Sequence, residues 1–483
     1  MKKIIIIIII LYCLPIISKA DSSVNELRVT LQSSFISLDP GGVQDSQSLF
    51  VSRQVNCQLV RNQGSSFTLD AAESIRYITP LKILVKINKN AKFYDGSPVT
   101  ARDAVASLNY IKESRNIFKN VFTWIKTVTI LDDKTIVLSL EKHVPQFLKT
   151  LSATNFTIFK ESFLDKAKAN KSLWKNPIGC GKYRVSYFGD KQIRITPVYS
   201  GLPIVFTLIK SNQIEASEVG KYDIITLKVI GESKELNNFN VLEMFDPIQY
   251  FIGINSKSRL WKNKYDRCKF LSSLDLKNVI SSYGESAIVA NDLLPKGTLG
   301  YSQNNDYLFD LKRLANKSSQ HSLNKEKSIC FSYLTVSIQD KNKVEYVKML
   351  QKHYSNVVVK PIYDVKRFGK KFLNDNCDVL ILGLTSTYLD GYEFLTVFEK
   401  NDANFTGENV EHLNAHILQS QNIENTVERA KEYQKITKEI ADSCIVRPIF
   451  TMPIRRIYVR KNLKAPGIGL ISIHQYNLAN VSI

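Results

Sequence analysis

Residues 91–111 read Ala-Lys-Phe-Tyr-Asp-Gly-Ser-Pro-Val-Thr-Ala-Arg-Asp-Ala-Val-Ala-Ser-Leu-Asn-Tyr-Ile. The first half is turn chemistry. Asp95-Gly96 supplies a residue tolerant of positive φ, and Pro98 fixes its own φ and removes a backbone donor. The second half is a helix. Thr100 is a good N-cap, and Asp103 three residues on suits the positive helix end, although it is not the Glu or Gln of a full capping box. Val105, Leu108 and Ile111 then form an apolar stripe at helical spacing. Upstream, Ile83, Val85 and Ile87 alternate as a half-buried strand does. The local unit is therefore strand, tight turn, capped helix, which by itself carries no chemistry.

The wording from Lys92 to Val105 resembles the signature of the family 5 extracellular solute-binding proteins, the peptide, dipeptide and nickel receptors of ABC importers. Other stretches resemble the family in chain order. Ser37-Leu38-Asp39-Pro40 is similar to the loop that opens the mature receptors, and Asn176-Pro177-Ile178-Gly179-Cys180-Gly181-Lys182-Tyr183 to the return into the first lobe. Tyr250 to Asn255 resembles the crossing to the second lobe, Arg267 to Ile280 a family helix with Asp275 at its acidic position, and Leu294-Pro295-Lys296-Gly297 the turn after it. Ile445 to Phe450 resembles the start of the way back.

The resemblance implies an α/β, two-lobed periplasmic binding protein fold (type II, cluster C-like) with an additional inserted subdomain in the first lobe. It divides the chain into a signal peptide at 1–20, lobe 1 at 21–45, the inserted subdomain at 46–172, lobe 1 again at 173–254, lobe 2 at 255–453 and a C-terminal return to lobe 1 at 454–483. It implies a monomer that binds a small-molecule or short-peptide ligand and docks on an ABC permease in the inner membrane, with no cofactor, metal, nucleic acid or catalysis.

The N-terminus carries its own signal. Lys2 and Lys3 precede an unbroken isoleucine run from Ile4 to Ile10, and Ser18-Lys19-Ala20 places small residues at a cleavage site. This is the pattern of a secretory signal peptide, with Asp21 as mature start and the periplasm as destination. Its apolar core is shorter than the about 20 residues a membrane span needs. The formal charge is +20, and loss of Lys2, Lys3 and Lys19 with no acid lowers it to +17. Such a charge fits nucleic acid, an anionic membrane or an anionic solute, but the lysines are scattered rather than patterned. Hydrophobic content of 44% and charged content of 23% are those of a globular chain. Six cysteines remain after the signal: Cys57, Cys180, Cys268, Cys330, Cys377 and Cys444. No CxxC spacing marks a zinc site, and sequence cannot choose among the possible disulfide pairings.

Patterning adds a hairpin across 121–140, where Val128 and Ile130 oppose Ile136, Leu138 and Leu140. The second lobe alternates strand and helix, which predicts parallel βαβ units. A long helix is expected over Ile423–Asp442, with Val427, Ala430, Tyr433, Ile436 and Ile440 on one face.

Catalytic signatures are missing: there is no G-x-S-x-G elbow, no H-E-x-x-H and no dinucleotide fingerprint. Gly179-Cys180-Gly181-Lys182 lacks Walker spacing. His412 and His416, four apart, would share a helical face as a metal pair does, or simply face solvent. By resemblance, the ligand cleft takes Ser34 and Phe35 from one lobe. From the other it takes the loop containing Gly383, Leu384, Thr385, Thr387, Tyr388 and Asp390. Phe35 and Tyr388 read equally as core aromatics. At the position where peptide receptors hold the α-ammonium with Asp, this chain has Thr387. A slipped alignment would let Asp390 substitute, another acid could reach in, or the ligand carries no ammonium there. The readings in play are a peptide receptor, a receptor for a metal chelate, opine or sugar derivative, and a secreted hydrolase.

Overall fold

A computed structural model describes residues 25–483 apart from 33–35, 43–44, 64–65, 115–123, 145–146, 153–155, 212, 262, 285–286, 318–325, 336–337, 339, 364–366, 387–388, 401–402, 408–410 and 469–475. The signal sequence and the expected mature start lie outside the described residues, as do Ser34, Phe35, Thr387 and Tyr388.

Two long strands organise the molecule, Phe239–Ile254 and Val446–Arg460. They run antiparallel through the middle of an eleven-stranded sheet. On one side of their midpoint Phe239–Phe245 pairs with Ile454–Arg460, and the sheet continues through Ile224–Ile225, Leu27–Gln32, Ile204–Ile209, Gln192–Pro197 and Tyr183–Phe188. On the other side Ile248–Gly253 pairs with Val446–Met452, and the sheet continues through Val379–Thr385, Ser328–Leu334 and Asn356–Ile362. The last three strands are parallel, joined by the helices Asp340–Gln351 and Phe368–Asn374, as the alternation predicts. The pairing register shifts between Phe245 and Ile248. Pro247 lies in that interval and has no N–H to give a ladder, which is where a bulge is tolerated. The crossing strands thus bend where one half of the sheet hands over to the other.

A separate four-stranded sheet, Ala72–Thr79, Lys82–Ile87, Thr135–Leu140 and Ile125–Asp132, belongs to the region between. Ile83, Val85, Ile87, Ile136 and Leu138 are fully buried, because alternation places them all on one face. The helix Ala101–Glu113 packs there. Its N-terminus is a complete capping box: Thr100 Oγ1 accepts from the Asp103 N–H at 3.3 Å, and Asp103 Oδ2 accepts from the Thr100 N–H at 2.8 Å. Asp103, although shorter than Glu, fills the role and with its other oxygen accepts from the Glu161 N–H. Val105 is only half-buried; Ala104, Ser107, Leu108 and Ile111 form the buried face.

Two expectations are corrected. The helix expected across Arg267–Ile280 is two helices, Lys264–Ser273 and Lys277–Ser282, with Asp275 in the break, accepting from the Lys277 N–H and pairing with Lys352. The long helix begins at Thr426, because Asn425 caps it, and ends at Ser443. Val427 is 65% exposed in its first turn, while Tyr433, Ile436 and Ile440 are buried.

The six cysteines among the described residues all pair. Cys57–Cys180 fastens the root of the inserted region to the return loop, where the Gly181 N–H donates to the Val55 carbonyl. Cys268–Cys444 joins a helix to the C-cap of the long helix, and Cys330–Cys377 ties neighbouring strands. No free thiol is found among the described residues.

Candidate functional site

Gly383, Leu384 and Thr385 end the strand Val379–Thr385 and lie opposite Tyr250, Gln249 and Ile248 of the first crossing strand. They therefore sit beside the bend between the two halves of the sheet. Gly383 makes a close approach: a Cβ there would lie 3.0 Å from the Tyr250 ring, which would have to yield by a few tenths of an ångström. That ring stacks on Phe450, with centroids 4.4 Å apart, and also meets Tyr283 at 4.9 Å. Burial raises the Tyr283 phenol well above its ordinary range, so it stays neutral.

Next to this aromatic stack lies a polar spot that sequence reasoning missed. Gln249 is fully buried, and its Nε2 donates to the Asp292 carbonyl at 3.2 Å. Its Oε1 and the hydroxyl of Thr451, its partner across the strands, are buried with no hydrogen-bond partner among the described residues. Buried polar atoms are normally satisfied, so this pair awaits a water or a ligand atom. The available signal was a glutamine inside the apolar run Ile248-Gln249-Tyr250-Phe251-Ile252. Burial pushes the carboxyl of Asp292 up, while the N–H groups of Leu293 and Ser302 hold it in place.

The loop after Thr385 is pinned at both ends. Ser386 donates its hydroxyl to Glu393 and accepts from the Leu389 N–H at 2.7 Å. Leu389 holds φ at +57°, in the left-handed region that non-glycine residues avoid. Asp390 is 1% exposed. Its Oδ1 accepts from the Tyr392 N–H at 3.0 Å, and its Oδ2 lies 3.9 Å from Arg429 of the long helix. Burial, and next the negative field of Asp390, raise the Tyr433 phenol well above its usual range. Asp390 is thus a buried carboxylate, with one oxygen on the Tyr392 N–H and the other facing Arg429.

His412 and His416 share one face of the helix Glu411–Ser420. His416 lies between Glu432 and Glu439 of the long helix, its Nδ1 2.9 Å from Glu439 and its Nε2 against Glu432. Only an imidazolium donates from both nitrogens. Partial burial disfavours that form, but the two carboxylates outweigh it and raise the pKa. Among the described residues no group of three or more His, Cys, Asp or Glu is arranged to hold a metal ion, and no helix is long and apolar enough to cross a membrane.

Residues 70–406 match the family model described as bacterial extracellular solute-binding proteins, family 5 Middle. A putative ABC transporter peptide-binding protein of Brucella ovis is 26% identical over 245 residues, covering 44% of this chain and 45% of that protein. The chain thus matches less than half the length of this curated relative. Among solved structures, the periplasmic binding protein DppA from Helicobacter pylori, in complex with the peptide STSA, superposes with a TM-score of 0.78 at 16% identity, covering 95% of this chain and 98% of that one. The Escherichia coli murein tripeptide binding protein MppA does so at 0.77 and 18%, with the same coverage. At these identities the likeness establishes the two-lobed fold.

Proposed function

The chain belongs to the bacterial extracellular solute-binding proteins, family 5, and from that we propose that it captures a small solute, a peptide or peptide-like compound, between its two lobes and delivers it to the membrane permease of an ABC importer. The observation that carries the reading is the pair of crossing strands. Two half-sheets joined only through a bent two-stranded connection within the main sheet can swing toward each other, and a solute bound between them favours the closed form by its differential affinity.

The domain division at 45, 172, 254 and 453 is part of the proposal, with the pivot at the register shift between Phe245 and Ile248, a few residues before the expected boundary. The protein acts as a monomer, without catalysis, in the periplasm, from which the signal peptide is removed ahead of Asp21. Three disulfides support an oxidising compartment. Ser34, Phe35, Thr387 and Tyr388 remain proposed contacts, joined by Gly383, Leu384 and Thr385 on the second-lobe wall. We add Gln249 and Thr451 to the proposal, because each has a buried oxygen with no hydrogen-bond partner among the described residues. Main-chain pairing with an extended ligand would give affinity with little side-chain selectivity. With Asp390 facing Arg429, an α-ammonium would have to compete with that guanidinium or find another acid. A second reading, a solute that carries no ammonium, therefore stands beside the first.

The test is mass spectrometry of solute released by denaturing the purified mature protein. A ladder of short peptides supports the first reading. A single non-peptide mass supports the second. Turnover of substrates in a broad hydrolase screen would overturn both.

A further inference from the structure

Away from the crossing strands, the inserted region shares one hydrophobic core with the second lobe and meets it beside Trp124. Trp124 and the pair Lys142-His143 flank the open end of the hairpin formed by Ile125–Asp132 and Thr135–Leu140. The Glu141 N–H donates to the Trp124 carbonyl at 2.8 Å, which holds the two flanks together. Trp124, 2% exposed, packs on Tyr392, 1% exposed, with ring centroids 5.9 Å apart. Lys142 Nζ donates to the Leu418 carbonyl at 3.0 Å, at the end of the helix Glu411–Ser420. His143 Nδ1 lies 2.8 Å from Glu424, in the turn before the long helix.

We propose that Trp124, Lys142 and His143 form a clasp that holds the inserted subdomain against the second lobe and must release for the cleft to open. Three features carry this. The contact joins parts that the chain otherwise connects only through the first lobe. It combines one aromatic pair with polar contacts at the rim, where Glu424 is 73% exposed, so water can replace them cheaply when they part. Its receiving residue, Tyr392, is the one whose N–H Asp390 holds, so the clasp bears directly on the candidate ligand loop. A solute held at that loop would set Tyr392 for Trp124, and the clasp would in turn slow solute escape. The link to solute rests on the function proposed above; the mechanical claim does not.

Small-angle X-ray scattering of the ligand-free mature protein tests it. A compact chain of this size has a radius of gyration of about 23 Å, and release of the clasp should raise it by roughly 1 Å in Lys142→Ala/His143→Ala. Glu424→Ala, a surface change, should shift it in the same direction by less. Far-UV circular dichroism checks that both variants fold. An unchanged radius in both folded variants overturns the clasp. If the radius grows but no solute is ever released from the wild type, the clasp stands and the binding reading falls. If solute is bound and the radius stays fixed, the reverse holds.

Discussion

Replacing Asp390 with Asn separates two roles for this residue. The side chain keeps its shape and can still accept from the Tyr392 N–H, but it no longer carries the charge that faces Arg429. At 3.9 Å, with both side chains more than nine-tenths buried, the attraction is about 4 kcal/mol at an effective dielectric of 20. A weaker attraction to the amide dipole remains, and Arg429 keeps its Nη1 bond to the Ile423 carbonyl at 2.8 Å. The net cost should be about 2–4 kcal/mol, mostly from leaving the guanidinium buried without its counter-ion. At roughly 2–4 °C per kcal/mol for a unit the size of the second lobe, Tm should fall by about 5–15 °C. Thermal melts followed by circular dichroism measure this. Arg429→Met should cost a similar amount, and the double variant should cost less than the sum of the two. A Tm within about 1 °C of wild type, together with lost solute affinity, would refute the reasoning. The carboxylate would then be facing ligand, not Arg429.

Three further outcomes follow from the structure. The denatured mature protein should take up no thiol label until reduced, because its cysteines form three pairs; mass spectrometry of the alkylated chain reads this directly. Reduction should also lower Tm, since each native bridge is worth about 2–5 kcal/mol. His416 has a raised pKa, so its contribution is fully present below the unfolded value near 6.5 and is lost as pH rises through the folded value. Tm profiles between pH 5 and 9 should therefore show His416→Gln losing stability at the acid end and converging with wild type at the alkaline end. Gln249→Leu should leave Tm unchanged or slightly higher while weakening solute binding about 5–50-fold, as calorimetry would show; unchanged affinity would remove Gln249 from the site.

Local chemistry was legible where it is self-contained. Thr100 and Asp103 close their capping box within four residues, and the Val-rich strands pair in parallel because helices alternate with them. The family wording located the crossing strands. Less legible was anything settled by a distant partner. Asp390 reads as a loop acid until the long helix brings Arg429 to it. The helix break at Asp275 has no proline or glycine to announce it. Val427 fits the helical period, yet it falls in the first turn, short of the packed surface. Cysteine spacing holds no record of which thiols meet in space. The clasp was invisible because Trp124, Lys142 and Tyr392 have no common motif, only a common meeting place.

The strand Val446–Arg460 has a consequence for how the protein comes to be folded. It follows every other described strand in the chain, yet it lies at the centre of the sheet, bonded to Ile224–Ile225 and Ile288–Val289 on one side and to Phe239–Ile254 on the other. Until it arrives, neither lobe has a complete sheet, and Cys268 has no Cys444 to join. The nascent chain must therefore wait with open strand edges, the state most exposed to aggregation. A stop codon just before Val446 would cost both lobes rather than one, and such a chain should depend on chaperones throughout its life.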